Sequence, residues 1–214
     1  MKVGILGGTF DPIHLGHLRT AEEIGERMAL EKVCMIPSAS PPHKTGEPLV
    51  PFHHRLAAAR LAVGDSPLLE VLDIEGRRRG PSYSIDTLKA CRRIFGPQAE
   101  LFFILGTDAF LEIDSWKAFK ELFTYTHFVI NQRPGTPLKE LKSILSKFEV
   151  PIQRESASGE FVLDSGKSVI QIQTTMMDIS STRIRNMVKK GRSIRFLVPE
   201  AVRRYILEND LYGK

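Results

Sequence analysis

Six short apolar runs, each separated from the next by helical or loop sequence, constrain this chain more than any other feature. Segments 2–6, 32–36, 68–74, 101–105, 126–131 and 168–173 have the length and β-branched or aromatic content of strands. Between and after them, small and apolar residues recur every three or four positions, predicting helices over 15 to about 30, 51–63, 85–95 and 137–148. Leu101-Phe102-Phe103-Ile104-Leu105 is apolar throughout and reads as a central strand buried on both faces. Strands alternating with helices predict an α/β, Rossmann-like doubly wound, mostly parallel sheet with helices on both faces. In such a sheet ligands lie across the carboxyl ends of the strands. At 214 residues the chain suits one domain over 1–214, with 177–214 as a small helical C-terminal part. Segment 149–167, rich in Ser, Gly and charge, has no assignable pattern.

The first strand runs into Gly7-Gly8-Thr9-Phe10-Asp11-Pro12-Ile13-His14-Leu15-Gly16-His17. Strand, glycine-bearing turn and helix together place unpaired backbone N–H groups and a helix dipole before an anion. His14 and His17, three apart, share a face on the first helical turn, and Gly16 carries no side chain to hold a phosphate off. The loop fits neither G-x-x-x-x-G-K-[ST] nor G-x-G-x-x-G, and no H-E-x-x-H or nearby cysteine supports a zinc site. It reads as a phosphate-handling loop.

The composition excludes membrane-spanning and disulfide-scaffold classes: no apolar run reaches a span, no secretory leader precedes the first strand, and the two cysteines, Cys34 and Cys91, sit apart inside predicted elements. The expectation is a cytoplasmic protein with reduced cysteines. The formal charge of +5 has a local source, since Arg183 to Arg204 contains eight Lys or Arg and one acid, Glu200. Apart from Phe196 no aromatics alternate with these charges, so small phosphorylated substrates fit better than nucleic acid. Lys189, Lys190, Arg203 and Arg204 read as a solvated helix face.

Further polar clusters follow the remaining strands. Pro41-Pro42-His43-Lys44 is a stiff loop with two cationic donors at its tip. Ser82-Tyr83-Ser84 opens a helix, with Ser84 the expected cap and Asp86 favouring the helix dipole; His53, His54 and Arg55 read as surface or structural residues. Gly106-Thr107-Asp108 ends the fourth strand and is followed by Trp116, the single tryptophan, and Lys117; Gln132-Arg133-Pro134-Gly135 ends the fifth. Asp178-Ile179-Ser180-Ser181-Thr182-Arg183-Ile184-Arg185 opens a helix ending near Gly191, and Pro199 starts the last. These clusters converge on one rim of the sheet.

His14-Leu15-Gly16-His17 resembles the H-x-G-H signature of the nucleotidyltransferase superfamily, and GGTFDPIHLGH resembles the bacterial nicotinate-mononucleotide adenylyltransferases. PPHK, SYS-x-DTL, GTD followed by Trp116, RPG and DISSTRIR occur in the order found in that family, so the resemblance covers nearly the whole chain. Two departures are visible: the family often has threonine at Ser84, and 149–167 matches none of its motifs. The resemblance implies adenylyl transfer from ATP to nicotinate mononucleotide, giving nicotinate adenine dinucleotide and pyrophosphate with Mg²⁺, a step of NAD biosynthesis.

The same resemblance implies roles. His14, His17 and Arg185 would be catalytic. Gly8, Thr9, Phe10, His17, Gly106, Asp108, Ser181, Thr182 and Arg185 would contact ATP, with Mg²⁺ held mainly by its phosphates and no protein metal site. His43, Lys44, Ser84, Trp116, Lys117 and Arg133 would face the acceptor nucleotide. Thr182 and Ser180 also read as N-caps, and Trp116 also as a core residue. A phosphate monoester nucleophile is ionised at neutral pH and needs no general base, so catalysis rests on aligning two anions. The partners implied are ATP and nicotinate mononucleotide, with no nucleic acid and no membrane, and a homo-oligomer is left open. Alternatives are a nicotinamide-mononucleotide or phosphopantetheine acceptor, or a non-catalytic nucleotide- or RNA-binding module.

Overall fold

The structure, a computed structural model, describes residues 1–42, 49–132, 141–157 and 159–213. Among them eight strands form one sheet: β1 (Lys2–Gly8), β2 (Lys32–Pro37), β3 (Leu69–Val71), β4 (Glu100–Gly106), β5 (His127–Gln132), β6 (Ile152–Glu155), β7 (Phe161–Leu163) and β8 (Ser168–Gln173). Their order is β3-β2-β1-β4-β5-β8-β7-β6, parallel from β3 through β8 and antiparallel at β7 and β6. The chain order reverses between β1 and β4, and that crevice is where a doubly wound sheet binds ligands. The helices are α1 (Leu15–Arg27), α2 (Phe52–Val63), α3 (Ser84–Phe95), α4 (Thr107–Leu111), α5 (Phe119–Tyr125), α6 (Leu141–Lys147), α7 (Ser181–Lys189) and α8 (Glu200–Glu208).

Alternation along the central strands divides the interior into two cores. Leu101, Phe103 and Leu105 of β4 face one side, packing with Ile85, Leu88 and Cys91 of α3, Phe123 of α5 and Leu145 of α6. Phe102 and Ile104 face the other, with Ile24 of α1, Ala58 and Ala59 of α2, Ile184 of α7 and Val202 and Ile206 of α8. Helices therefore cover both faces, as the alternation predicts. Both cysteines are free and buried. No helix among the described residues is long and apolar enough to cross a membrane.

The structure amends the sequence reading in three places. The third strand is confined to Leu69–Val71. The unassigned 149–167 region holds the β6–β7 hairpin, which extends the sheet at its antiparallel edge. Ser84 is not the cap of α3: the cap position is Tyr83, with no side-chain cap bond, and Ser84 is the first helical residue. Ser180 does cap α7, its hydroxyl accepting the Arg183 backbone N–H at 3.2 Å.

Candidate active site

Two cavities open along the carboxyl ends of β1 and β4. The first is lined by Gly8 and Thr9 of the opening loop, Ser38, Pro41 and Pro42 after β2, Ser82 to Ser84, and Trp116 and Lys117. The second is lined by His14, Gly16 and His17, Asn131 and Gln132 of β5, and residues 174–181 leading into α7. Leu6, Gly7, Ile104, Leu105 and Gly106 line both, so the cavities share one floor. A Cβ on Gly7 or Gly106 would meet no atom within 4 Å, and neither residue has a positive φ. Their missing side chains leave space where the cavities join.

His14 is the N-cap residue of α1, and its ring stacks on His17 with centroids 3.6 Å apart and planes 22° from parallel. The His14 backbone N–H donates to His17 Nδ1 at 3.2 Å. A neutral His17 ring therefore carries its proton on Nε2 and presents a donor. Desolvation, then the neighbouring His14, holds the His17 pKa well below its usual value, so the ring is neutral near pH 7. The ring can therefore supply a hydrogen-bond donor without carrying a positive charge. Phe10 is buried, with φ of 48°, and meets the His17 ring edge-on at 5.0 Å. A Cβ on Gly16 would lie 3.1 Å from His14 Nδ1, so the glycine keeps the stacked rings in register.

The loop is held from behind. Arg55, read from sequence as surface or structural, is 2% exposed and donates to the carbonyls of Val50 (2.9 Å), Thr9 (2.6 Å), Ser38 (2.7 Å) and Ala39 (3.3 Å). It ties the opening loop to the loop after β2, the two walls of the first cavity. Arg185 Nη1 donates to the Asp11 carbonyl at 2.8 Å, and Ser181 Oγ to the Pro12 carbonyl at 2.8 Å. Tyr212 donates to Asp11 Oδ1 at 2.8 Å.

Across the first cavity, Trp116 packs edge-on against Phe103 at 6.3 Å. Lys117 pairs with Asp86 at 3.0 Å and lies 4.6 Å from the Tyr83 ring centroid. Ser82, which lines the first cavity, is bonded to Ser40 through backbone and hydroxyl. Buried Glu75 accepts the Thr87 hydroxyl at 2.5 Å and the Ala39 N–H at 3.3 Å. Around the second cavity, Glu23 accepts the Thr175 N–H at 2.8 Å and pairs with Arg19, which holds its carboxyl down at about 2. Asn131 bonds Thr20 and Thr174.

Of the residues singled out from sequence, His14, His17 and Ser181 meet at the second cavity, and Gly8, Thr9, Ser84, Trp116 and Lys117 at the first. Gly106 lines both. Asp108 and Thr182 are exposed and, with Arg185, stand outside either lining. His43, Lys44 and Arg133 lie outside the described residues. Sequence reasoning missed Arg55, Glu75, Thr87, Asn131 and Tyr212. Thr87 lay inside the quoted SYS-x-DTL and Asn131 directly before Gln132-Arg133-Pro134-Gly135.

A cytidylyltransferase-like family model matches residues 5–187. A probable nicotinate-nucleotide adenylyltransferase of Geotalea uraniireducens is 45% identical, the alignment covering 100% of this chain and 99% of that protein. One of Geobacter sulfurreducens is likewise 45% identical over the same shares. The fold is also that of the Plasmodium falciparum nicotinic acid mononucleotide adenylyltransferase complexed with NaAD, with a TM-score of 0.72 and 22% identity over 99% of this chain and 97% of that one. With these matches spanning the whole chain, it belongs to the nicotinate-nucleotide adenylyltransferases of the cytidylyltransferase-like family.

Proposed function

We propose that this chain transfers the adenylyl group of ATP to nicotinate mononucleotide, releasing pyrophosphate and forming nicotinate adenine dinucleotide, a step of NAD biosynthesis. The observation that carries the reading is the pair of cavities sharing a floor of Gly7, Leu105 and Gly106, with the His14–His17 stack lining the second. Two substrates seated there have their phosphates brought together over glycine.

The second cavity suits ATP, because the N-termini of both α1 and α7 open onto it and favour anions. His17 would donate from Nε2 to a non-bridging oxygen of the α-phosphate, with His14 beside it. Ser181 and the α7 N-terminus would face the β- and γ-phosphates, joined by Thr182 and Arg185 if Arg185 turns from Asp11. Gly106 and Asp108 would approach the ribose; Gly8, Thr9 and Phe10 would offer backbone N–H groups at the junction. The first cavity suits the acceptor: Trp116 offers an aromatic face to a cationic pyridinium ring, and backbone N–H groups of Ser84 and Lys117 would read its carboxylate. His43, Lys44 and Arg133 enter this reading through the family resemblance alone.

In the reaction an oxygen of the acceptor's phosphate attacks the α-phosphorus in line, and the bond to pyrophosphate breaks. The nucleophile is already ionised, so the protein's part is alignment and neutralisation of charge. Among the described residues no three carboxylate, imidazole or thiolate side chains gather to bind a metal. Mg²⁺ would be held chiefly through nucleotide phosphates and water, where it would screen the leaving pyrophosphate. The test is pyrophosphate release from ATP and Mg²⁺ with nicotinate, nicotinamide and phosphopantetheine acceptors compared side by side. Release with nicotinate mononucleotide, lost in a folded His17→Ala variant, is the expected result. Full activity in that variant overturns the role of His17, and preference for another acceptor overturns the substrate.

A further inference from the structure

The loop bearing His14 and His17 is fastened on its outer side by residues from far along the chain. Arg185 and Ser181 bond the carbonyls of Asp11 and Pro12, and the Leu15 N–H, at the start of α1, donates to the Leu197 carbonyl at 3.0 Å. Among the described residues the Asp11 side chain, 1% exposed, has a single hydrogen bond, from the Tyr212 hydroxyl to Oδ1 at 2.8 Å. Its Oδ2 has none, and stands 3.9 Å from Arg185 Nη1. A buried carboxylate so placed is satisfied by the tyrosyl hydroxyl or by a nearby guanidinium, Arg185 or Arg55. Tyr212 itself packs against the core on the α1 side of the sheet, and its backbone φ of 66° lies where a bulky residue is seldom found. The chain adopts that conformation where the hydroxyl reaches Asp11.

We infer that Tyr212 is a positioning residue for adenylyl transfer: its hydroxyl fixes the Asp11 carboxylate, and through it the loop that presents His14 and His17. The inference rests on reading that loop as the place of transfer. Without the hydroxyl, Asp11 is left to the charges of Arg185 and Arg55, and a shift of that carboxylate moves the backbone three residues ahead of His14. The effect falls on the alignment of the reacting phosphates and not on the binding of either base, so kcat changes while KM does not.

The test is Tyr212→Phe, which keeps the ring, in histidine-labelled protein read by NMR together with steady-state kinetics. The Cε1–H resonances of His14 and His17 should move, while that of His127, at the amino end of β5, stays. The kcat should fall about tenfold with both KM values nearly unchanged. Tyr205→Phe removes another tyrosyl bond, the 2.9 Å contact to His54 Nδ1, and should leave the His14 and His17 resonances and kcat as they are. Adding Tyr212→Phe to Asp11→Ala, which removes the acceptor, should cost no further activity, as expected when one residue acts through the other. Unmoved His14 and His17 resonances, equal effects from Tyr205→Phe, or additive losses in the double variant overturn the inference. The NMR arm needs no substrate, so an inactive wild-type protein would count against the proposed reaction and leave this result standing.

Discussion

Replacing Arg55 by methionine keeps the aliphatic stem and removes the guanidinium donors that join the opening loop to the loop after β2, leaving the Ser38 N–H bond to the Gly8 carbonyl at 2.8 Å. Three of its four hydrogen bonds are 2.9 Å or shorter, to Val50, Thr9 and Ser38. Hydrogen bonds from a charged group contribute about 1.5–3 kcal/mol each, so the three amount to roughly 5–9 kcal/mol before opposing terms. Against this stands the cost of taking the guanidinium out of water, visible in a pKa that burial pulls below its usual value. Breaking one side of such a buried arrangement leaves a net loss of about 3–5 kcal/mol. For a chain of this size each kcal/mol lowers Tm by about 2–4 °C, so the fall should be roughly 6–20 °C. Thermal unfolding by calorimetry measures it. Because Thr9 and Ser38 both line the first cavity, KM for the acceptor should rise more than KM for ATP. Arg55→Lys should recover only part of either effect, since one ammonium cannot span carbonyls on separate segments. A Tm within about 3 °C of wild type for Arg55→Met would refute this account of the cavity wall, since it corresponds to scarcely 1 kcal/mol.

Gly106→Val should leave stability within about 0.5 kcal/mol, because its Cβ meets nothing within 4 Å and the backbone is extended, yet it should cut kcat/KM at least about 100-fold by filling the junction of the cavities; wild-type kinetics would show that no ligand crosses there. Gly16→Ala should hold or raise Tm, since alanine suits a helix better by about 0.5–1 kcal/mol, while displacing the His14 ring and slowing turnover about tenfold or more; unchanged turnover would dismiss the need for the stack. Burial and the nearby Lys167 hold His127 at about 4, and His17 is also depressed, whereas unfolded histidines titrate near 6.5. The unfolded chain therefore binds the proton first, and stability should be greatest above 6.5 and decline as pH falls toward about 4, a slope that urea unfolding would read and His127→Gln would reduce.

Much of the parallel sheet was legible because each central strand is an apolar run long enough to stand out, and β4 is apolar through five consecutive residues. The β6–β7 hairpin was not, since β6 is almost wholly exposed and β7 has three residues, so neither carries a periodicity that its Ser- and Gly-rich surroundings do not obscure. The short helices α4 and α5, of five and seven residues, also fall below the length at which a helical repeat can be counted. At the site, motif spacing brought out side chains that face the cavities: His14, His17, Ser84, Trp116 and Ser181. What it could not reach are the groups behind them. An arginine is normally a surface residue, so nothing local marks Arg55 as buried. The Tyr212 bond to Asp11 spans 201 positions and exists only once the sheet has folded.

That span has a consequence for how the protein comes into being. The histidine pair leaves the ribosome long before residues 181, 185, 197 and 212, from which four of the bonds that fix its loop come. At about 5–20 residues per second the nascent chain carries an unfastened loop for roughly 10–40 s. Competence for transfer should therefore arrive once residue 212 has been made and docked, and not with the motif that encodes the histidine pair.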